Sequence, residues 1–426
     1  MGKASRADGH RAPVSPYRAG SGAGVLRRWP PTPGSPDAHA RRGFSYYAFS
    51  GWPVASLSPT FSSELAQDIA VAEAEIQRLN NDPPRTQLLE AVARQLLRAE
   101  AVASSRIEGL GLSHRKLAEA AFDPEGTTSN ARSVYANVRA MEESIRLATR
   151  RRPFTVDDLR KIHARLFEGT RDEQYAGVIR REQNWIGENA YSAYGADFIP
   201  VPEDDVPRLL RDLCLFIERD DLPAVAQAAI AHAQFETIHP FIDGNGRVGR
   251  CLIHLVLRRR GLAAHYVPPI SVALAANSDA YVVGLTAYRD QKIDQWSTVF
   301  ARAVTAAASG AKELAAQIET LKEKWRGQAD RPRPRSTAYN LIEVLPAHPV
   351  IDLRTTEEIL DVSDEAARQG IERLARAGVL REITGRRRGR VWECVGLFAL
   401  LDQFDRLIAT PPGAVKPGRR APRPTR

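Results

Sequence analysis

The stretch from His239 to Arg250 reads His-Pro-Phe-Ile-Asp-Gly-Asn-Gly-Arg-Val-Gly-Arg and contains most of the residues that could do chemistry. Gly244 and Gly246 flank Asn245, and glycine lets main-chain N–H groups come close to a ligand. Because a helix is expected to begin directly after this loop, a bound anion would lie at a helix N-terminus. The pattern therefore predicts an anion-binding site.

Charged side chains surround this loop on both sides. Arg247 and Arg250 are three residues apart on the first turn of the expected helix, so both guanidinium groups can reach one anion. Asp243 and His239 lie on the other flank and supply a carboxylate and an imidazole. An imidazole with its ordinary pKa of about 6.5 can accept a proton near neutral pH.

Two helices are expected to position the loop. Before it, residues recur at helical spacing at Val225, Ala229, His232 and Phe235. Pro240 disfavours the α conformation for the residue ahead of it, so this first helix should end near His239. Apolar residues between Val248 and Val256 form one face of a second helix that can stop at Gly261. The motif is thus predicted to be a helix-loop-helix joint.

The overall composition is that of a globular protein with basic ends. A chain of 426 residues with 43% hydrophobic content can form two domains with real cores. Its formal charge is +9, but much of the excess lies in residues 1–43 and 410–426, which have the composition of disordered basic tails. The net charge is therefore weak evidence for an acidic partner.

The cysteine content and the hydropathy indicate the cellular location. Cys214, Cys251 and Cys394 are far apart and lack CxxC spacing, so neither a disulfide framework nor a thiolate zinc site is expected. No run of 18 apolar residues occurs, and no membrane partner is predicted. We expect a cytoplasmic protein.

The periodicity of residues 44–325 predicts a mainly α fold, an all-helical core with a short β-hairpin. Helices are expected at 62–79, 86–108, 130–149, 155–166, 206–216, 278–289 and 293–323. Thr155 and Asp158 form a variant of a capping box. The helical period disappears in residues 175–202, where an irregular stretch with the short hairpin is predicted.

A second, smaller domain is expected at the C-terminal end. Residues 326–335 are polar and rich in proline and arginine, as in a linker. Residues 336–409 then match a winged helix-turn-helix outline, with a basic wing and a closing helix. The wing arginines, which could contact DNA phosphates, are Arg386, Arg387, Arg388 and Arg390. Asp364 and Glu365 open the would-be recognition helix and would repel DNA, so a protein-docking or structural role stays open.

The motif from His239 to Arg250 resembles the complete signature of the Fic family, whose members typically transfer AMP from ATP to a hydroxyl on a protein. The stretch Arg181–Gly187 resembles the segment leading into that family's substrate flap, and a winged-helix tail is a frequent family appendage. The resemblance covers residues from about 60 to 400. It implies a protein adenylyltransferase that uses ATP and Mg²⁺.

The resemblance assigns roles to the motif. His239 would be the general base, Asp243 would hold Mg²⁺, and Phe241 would point into the core. The residues expected to bind the phosphates of ATP are Gly244, Asn245, Gly246, Arg247 and Arg250. Relatives that phosphorylate carry Lys at the position of Gly246, so this loop favours AMP transfer.

Two further sites follow from the resemblance. Tyr281 lies where the family often has an aromatic residue near the adenine, although Val282 replaces the family's paired tyrosine. Ser104, Glu108 and Gly109 resemble the family's inhibitory motif at the end of an N-terminal helix. A carboxylate near the second motif arginine would occupy the guanidinium that the γ-phosphate needs.

Other interpretations remain open at this stage. Packing is favoured over a metal site for His232 and His254, and core packing is favoured for Trp185. The expected partners are ATP and a protein target with a Ser, Thr or Tyr hydroxyl, and a homodimer is compatible with the sequence. Alternative functions are a nucleotide-sensing DNA-binding regulator, or a Fic enzyme that uses another phosphate-bearing donor or removes AMP.

Overall fold

The computed structural model describes residues 24–81, 86–122, 128–385 and 389–409. The predicted tails at 1–23 and 410–426 and the wing residues 386–388 lie outside these ranges. Most of the described chain is helical, and its strands form two small antiparallel sheets. The predicted mainly α fold is therefore confirmed.

The ordered structure begins before Phe44, where the sequence placed the end of a disordered tail. β1 (Val25–Trp29) and β2 (Phe44–Ala48) pair antiparallel, and α1 (Ala38–Arg42) lies between them. The tail prediction is wrong for this part, because aromatic side chains outweigh the polar composition. Trp29 stacks on Phe44 with ring centroids 5.7 Å apart, and its edge meets Trp185 at 5.3 Å.

Six further α-helices of the described chain precede the central joint. They are α2 (Ser63–Asn81), α3 (Thr86–Ile107), α4 (His114–Phe122), α5 (Ser129–Ala148), α6 (Val156–Phe167) and α7 (Val206–Ile217). The predicted capping box is present at the start of α6, where the Asp158 carboxylate accepts hydrogen bonds from the Thr155 N–H at 3.1 Å and its hydroxyl at 2.9 Å.

The joint itself lies in the middle of the core. α8 (Ala224–Ile238) is buried along its whole length, and α9 (Asn245–Arg259) is buried except at its C-terminal end. The many alanines of α8 allow neighbouring helices to approach closely. The loop between the two helices is therefore held on both sides by buried elements.

A long helix connects the two halves of the chain. α10 (Ile270–Ala276) and α11 (Ser278–Arg289) precede α12 (Ile293–Gln328), which continues beyond its predicted end at residue 323. Trp296 and Phe300 of α12 enter the core around the joint, whereas Trp325 enters a second core. In the described ranges, no single helix is long and apolar enough to cross a membrane. Only the bent pair α10 and α11 passes that test, by length and composition.

The C-terminal unit, residues 337–408, forms the second core. Its elements are α13 (Thr337–Val344), β3 (Val350–Asp352), α14 (Leu353–Leu360), α15 (Asp364–Arg376), β4 (Leu380–Glu382), β5 (Val391–Cys394) and α16 (Leu397–Ile408). The sheet order is β3-β5-β4. Leu96 and Ala103 of α3 are buried in the same core, so this unit packs directly on that helix. The winged-helix interpretation stays a prediction.

The irregular stretch after α6 has no regular strand. Where a short hairpin was predicted, a single antiparallel bridge joins Ile186 to Phe198. The Ile186 N–H donates to the Phe198 carbonyl at 2.8 Å, and the Phe198 N–H returns a bond at 3.1 Å. We call residues 185–199 the flap.

Candidate active site

The loop of the joint is fixed by its own side chains. His239 has φ 50° and ends α8 in the left-handed conformation, and Gly244 has φ 76°. The Asn245 side chain accepts from the Phe241 N–H at 2.9 Å and donates to the Phe241 carbonyl at 2.8 Å. Asn245 thus shapes the loop with its side chain, and only its main chain remains for an anion. Phe241 is fully buried, as predicted.

Two residues without a predicted role hold the backbone of His239. Arg180 donates from Nε to the His239 carbonyl at 2.9 Å, and Asn184 donates to the same oxygen at 3.1 Å. Asn184 also donates to the Phe241 carbonyl at 2.9 Å. Asn184 lies within Arg181–Gly187, which resembles the segment leading into the family's substrate flap. The sequence analysis thus identified the region but not this contact.

The His239 ring lies against the last turn of α8. Its Nδ1 is 3.3 Å from the carbonyl oxygen of Glu236 and 3.8 Å from the carboxylate of the same residue. Burial, together with the charges of Arg289 and Arg180, lowers the pKa of His239 to about 4. A neutral imidazole that donates from Nδ1 keeps Nε2 free to accept a proton.

Glu236 is a buried carboxyl beside this ring. Burial raises its pKa to about 7, and Oε1 has no hydrogen-bond partner in the described chain. A Cβ at Gly249 would come within 2.5 Å of this oxygen, so glycine there leaves room for the carboxyl. The sequence analysis did not identify Glu236.

The predicted inhibitory residues meet the motif at its second arginine. Arg250 donates from Nη2 to the Glu108 carboxylate at 2.6 Å, from Nε to the Ser104 hydroxyl at 2.9 Å, and from Nη2 to the Ser104 carbonyl at 2.8 Å. Ser104 therefore binds the arginine itself. Gly109, with φ 77°, follows directly after Glu108. A Cβ added at Gly246 would overlap the Glu108 carboxylate, which therefore lies over the glycine loop.

Water reaches this ion pair only from the side of Glu108. The Arg250 side chain is 1% exposed and that of Glu108 is 33% exposed. Burial raises the pKa of Glu108, but Arg250 outweighs burial and lowers it overall, so the carboxyl is ionised at neutral pH. The loop thus holds a carboxylate at the place where the sequence predicts a phosphate.

The end of α3 is also held from the C-terminal unit. Arg106 donates to the Asp405 carboxylate of α16 at 3.0 Å, and His114 of α4 is 3.3 Å from the same oxygen. Asp405 is therefore a shared partner of the segments on both sides of Glu108.

Tyr281 lies beneath Arg250. Its hydroxyl is 3.4 Å from Arg250 Nη1 and 2.9 Å from His232 Nε2, and the residue is only 4% exposed. Its hydroxyl is directed at Arg250 and His232, and the adenine contact expected from sequence stays a prediction. The neighbouring Val282 is 59% exposed.

The acidic residue of the motif, Asp243, is exposed. Asp243 is 60% exposed at its side chain and lies 3.4 Å from Arg247 Nη2. The Gly177 N–H donates to His163 Nδ1 at 2.8 Å, so His163 donates from Nε2 to the Asp243 carbonyl at 3.1 Å. A cavity of about 380 Å³ opens beside Asp243 and Arg247 and is also lined by Phe167.

The exposed Asp243 carboxylate beside the loop would fit Mg²⁺, which takes few protein ligands and completes its shell with phosphate oxygens and water. Within the described ranges, no group of three or more His, Cys, Asp and Glu side chains could hold a metal. His232 lies in the packing layer with Tyr281, and His254 lies 2.8 Å from Glu100, with both side chains fully buried.

Two models of one known family match the segments that form the site. The model of the Fic/DOC family matches residues 153–257, which include the joint, the flap and Asp243. The model of the Fic/DOC N-terminal region matches residues 66–146, which include Glu108. Residues 66–257 thus contain a Fic/DOC domain preceded by the N-terminal region of the same family.

Individual proteins are similar to part of this chain. A protein adenylyltransferase, fic-1, of Caenorhabditis elegans is 30% identical over 130 residues, which are 30% of this chain and 23% of that protein. A probable protein adenylyltransferase of Aquifex aeolicus is 36% identical over 126 residues, 26% of this chain and 39% of that protein. The chain thus spans less than two fifths of these relatives.

A solved Fic family protein from Desulfovibrio desulfuricans is 22% identical. The match covers 79% of this chain and 98% of that one, with a TM-score of 0.48.

The charged residues of the described chain that the sequence analysis considered for DNA binding lie in the C-terminal unit, away from the joint. Arg390 pairs with Glu382, and Asp364 pairs with Arg368 at 2.9 Å. Trp185 packs against the N-terminal strands and donates to the Asn189 carbonyl at 2.6 Å, in agreement with a packing role.

Proposed function

We propose that this protein is an adenylyltransferase that moves AMP from ATP to a Ser, Thr or Tyr hydroxyl of a target protein or of itself. The observation that carries the proposal is the position of the Glu108 carboxylate on the glycine loop and Arg250. A carboxylate from the chain itself lies against Gly246 and pairs with a buried guanidinium. A phosphate is also an anion that a guanidinium and a helix N-terminus can bind, so this place suits the triphosphate of ATP.

The step follows from the neighbouring groups. The hydroxyl oxygen of the target attacks the α-phosphorus, and the bond between this phosphorus and the bridging oxygen to the β-phosphate breaks. The hydroxyl proton moves to Nε2 of His239, and pyrophosphate leaves with the electron pair of the broken bond. Burial keeps His239 neutral, which is the form that can accept this proton.

The other residues position and neutralise the nucleotide. Arg247 and Arg250 bind the β- and γ-phosphates, and the first N–H groups of α9 stabilise the charge that develops. Mg²⁺, when bound at Asp243 and the phosphates, supplies further charge neutralisation. Arg180 and Asn184 fix the backbone on which the base is mounted.

Glu108 makes this enzyme autoinhibited. While its carboxylate pairs with Arg250, the γ-phosphate lacks this guanidinium, and ATP binds in a pose that does not transfer AMP. Ser104 stabilises the inhibited state because it binds two nitrogens of the same guanidinium. The flap receives an extended segment of the target by main-chain pairing, which places the hydroxyl near His239.

The position of the label distinguishes AMP transfer from other reactions. The Glu108→Gly protein is incubated with Mg²⁺ and with ATP labelled at either the α- or the γ-phosphate. We expect α-label on protein, no γ-label, and loss of labelling by about 100-fold or more on adding His239→Ala. Label from the γ-phosphate, or full labelling without His239, would refute the proposal.

A further inference from the structure

The N-terminal residues 24–49, which we call the strap, pack on the flap. The Asp37 carboxylate accepts from Asn189 Nδ2 at 3.1 Å and from the Ser192 hydroxyl. The His39 ring stacks on the Tyr194 ring with centroids 3.4 Å apart and planes 9° from parallel. Each of these flap residues lies between the two ends of the Ile186–Phe198 bridge.

Aromatic and main-chain contacts extend the same interface at both ends of the flap. Trp29 meets Trp185 edge-on at 5.3 Å, and the Phe49 N–H donates to the Ile199 carbonyl at 2.9 Å. Phe44 meets Tyr194 at 5.5 Å. The strap therefore follows the flap along its length.

Asp37 links the strap to the flap through its two oxygens. Oδ1 accepts from the His39 N–H at 2.8 Å and caps α1, while Oδ2 binds the flap. Its side chain is only 10% exposed. Burial raises the pKa of Asp37, but the hydrogen bonds from Ser192, Asn189 and the His39 amide outweigh it and lower the pKa to about 2. The contact is thus ionised and intact at any pH at which the protein would work.

The flap has no regular strand, and several of its internal hydrogen bonds depend on one side chain. One bridge closes it, and the Asn189 side chain accepts from the Tyr191 N–H at 2.9 Å and donates to the Tyr194 carbonyl at 3.2 Å. Segments without regular secondary structure can open locally at low free energy unless neighbouring structure holds them. Asn189 is also one of the groups bound by Asp37. The Asp37 carboxylate of the strap therefore binds Asn189, the residue that shapes the flap.

We propose that the strap is a positioning element of the acceptor site, in which Asp37 and His39 hold the flap in the form that pairs with the target segment. This inference rests on the proposed AMP transfer and names a further determinant of the same site. A preorganised flap saves the cost of ordering it when the target binds. The strap should therefore affect the KM for the protein acceptor and leave ATP binding unchanged.

The test uses the full chain with Glu108→Gly as the parent enzyme and the full-length His239→Ala chain as the acceptor, with α-labelled ATP. Asp37→Ala and, from the flap side, Asn189→Ala should raise the acceptor KM by about tenfold, with little change in kcat. Asp37→Asn keeps an acceptor oxygen and should recover part of the loss. Asp204→Asn is the matched control, because Asp204 pairs with Arg27 of the strap at 3.2 Å and does not bind the flap.

Hydrogen exchange gives a readout that needs no transfer. Backbone amides of residues 187–196 should exchange at least about tenfold faster in Asp37→Ala and at the parent rate in Asp204→Asn. Unchanged exchange, or an unchanged acceptor KM in a labelling-competent enzyme, would overturn the inference. A parent enzyme that labels neither itself nor the acceptor would instead refute the proposed transfer, so the two failures are distinct.

Discussion

The carboxylate of Glu108 lies 2.6 Å from Nη2 of Arg250 and directly over Gly246. Two unit charges about 4 Å apart interact by about 4 kcal/mol at an effective dielectric constant of about 20, before desolvation is counted. Coupling between sites is typically about 1–3 kcal/mol, or about 5- to 150-fold. A contact of this kind is strong enough to hold an enzyme mostly inactive and weak enough to be released.

The first prediction concerns Asp405, which holds the end of α3 close to Glu108. Asp405→Ala removes the partner of Arg106 and His114 on either side of Glu108, so the end of α3 should loosen. Self-labelling should increase about two- to fivefold, less than in Glu108→Gly, and the two changes together should match Glu108→Gly alone. Asp402→Ala, on the exposed face of α16, should have no effect. An additive increase in the double variant would place Asp405 outside the Glu108 mechanism.

The second prediction concerns the backbone of the base. Asn184→Ala removes one of the two donors from each of the His239 and Phe241 carbonyls, which should displace the imidazole. In the Glu108→Gly protein, kcat should fall about tenfold or more while ATP affinity is kept. Gln183→Ala is the control, because this side chain bonds the carbonyls of Asn184 and Pro200 instead. Equal losses in both variants would indicate general damage to the segment.

The third prediction is a pH profile. The pKa of His239 is lowered to about 4, so the neutral, proton-accepting form predominates above that value and is lost as the pH falls through it. An ordinary histidine with a pKa of about 6.5 would lose about 90% of its base form by pH 5.5. In Glu108→Gly we expect less than about a twofold change in kcat between pH 7.5 and 5.5, with folding checked by circular dichroism. A tenfold fall that persists in Glu236→Gln, which removes the neighbouring carboxyl with a pKa of about 7, would contradict the buried, neutral base.

The fourth prediction separates two roles of Tyr281. Its hydroxyl contacts Arg250 and His232. Tyr281→Phe should therefore leave the Arg250 guanidinium, which we propose binds phosphate, less firmly positioned. Affinities for ATP and GTP should then fall by the same severalfold factor in the Glu108→Gly protein. Tyr288→Phe removes another buried hydroxyl, bonded to Gln234 at 3.0 Å, and serves as control. A loss of affinity for ATP but not for GTP would instead indicate that Tyr281 contacts the adenine, as expected from sequence.

The sequence predicted the parts of the fold that depend on local patterns. The helices around His239 and the capping box at Thr155 follow from periodicity and capping residues, and the structure contains both. The juxtaposition of Glu108 and Arg250, 142 positions apart, could be anticipated only through the family resemblance. Periodicity alone carries no information about such a contact.

Contacts between distant segments were missed for the same reason. Nothing in the composition of residues 24–43 indicates that Asp37 meets Ser192, because that contact depends on how strands and flap pack in three dimensions. The position of the Glu236 carboxyl beside His239 was missed because it lies on a helix whose pattern looks like ordinary core. Tyr281 was placed correctly on its helix, but the direction of its hydroxyl depends on Arg250.

The measurement that tests the central claim most directly is the rate of AMP transfer in wild type and Glu108→Gly side by side, at saturating ATP and Mg²⁺. Glu108→Gln, which keeps the shape and removes the charge, serves as an intermediate, and Glu108→Gly with His239→Ala serves as the blank. We expect Glu108→Gly to label itself or a target at least about tenfold faster than wild type, with Glu108→Gln between them and the double variant silent. An equal or lower rate in Glu108→Gly, in a protein that still binds ATP, would show that the Glu108–Arg250 contact does not control transfer.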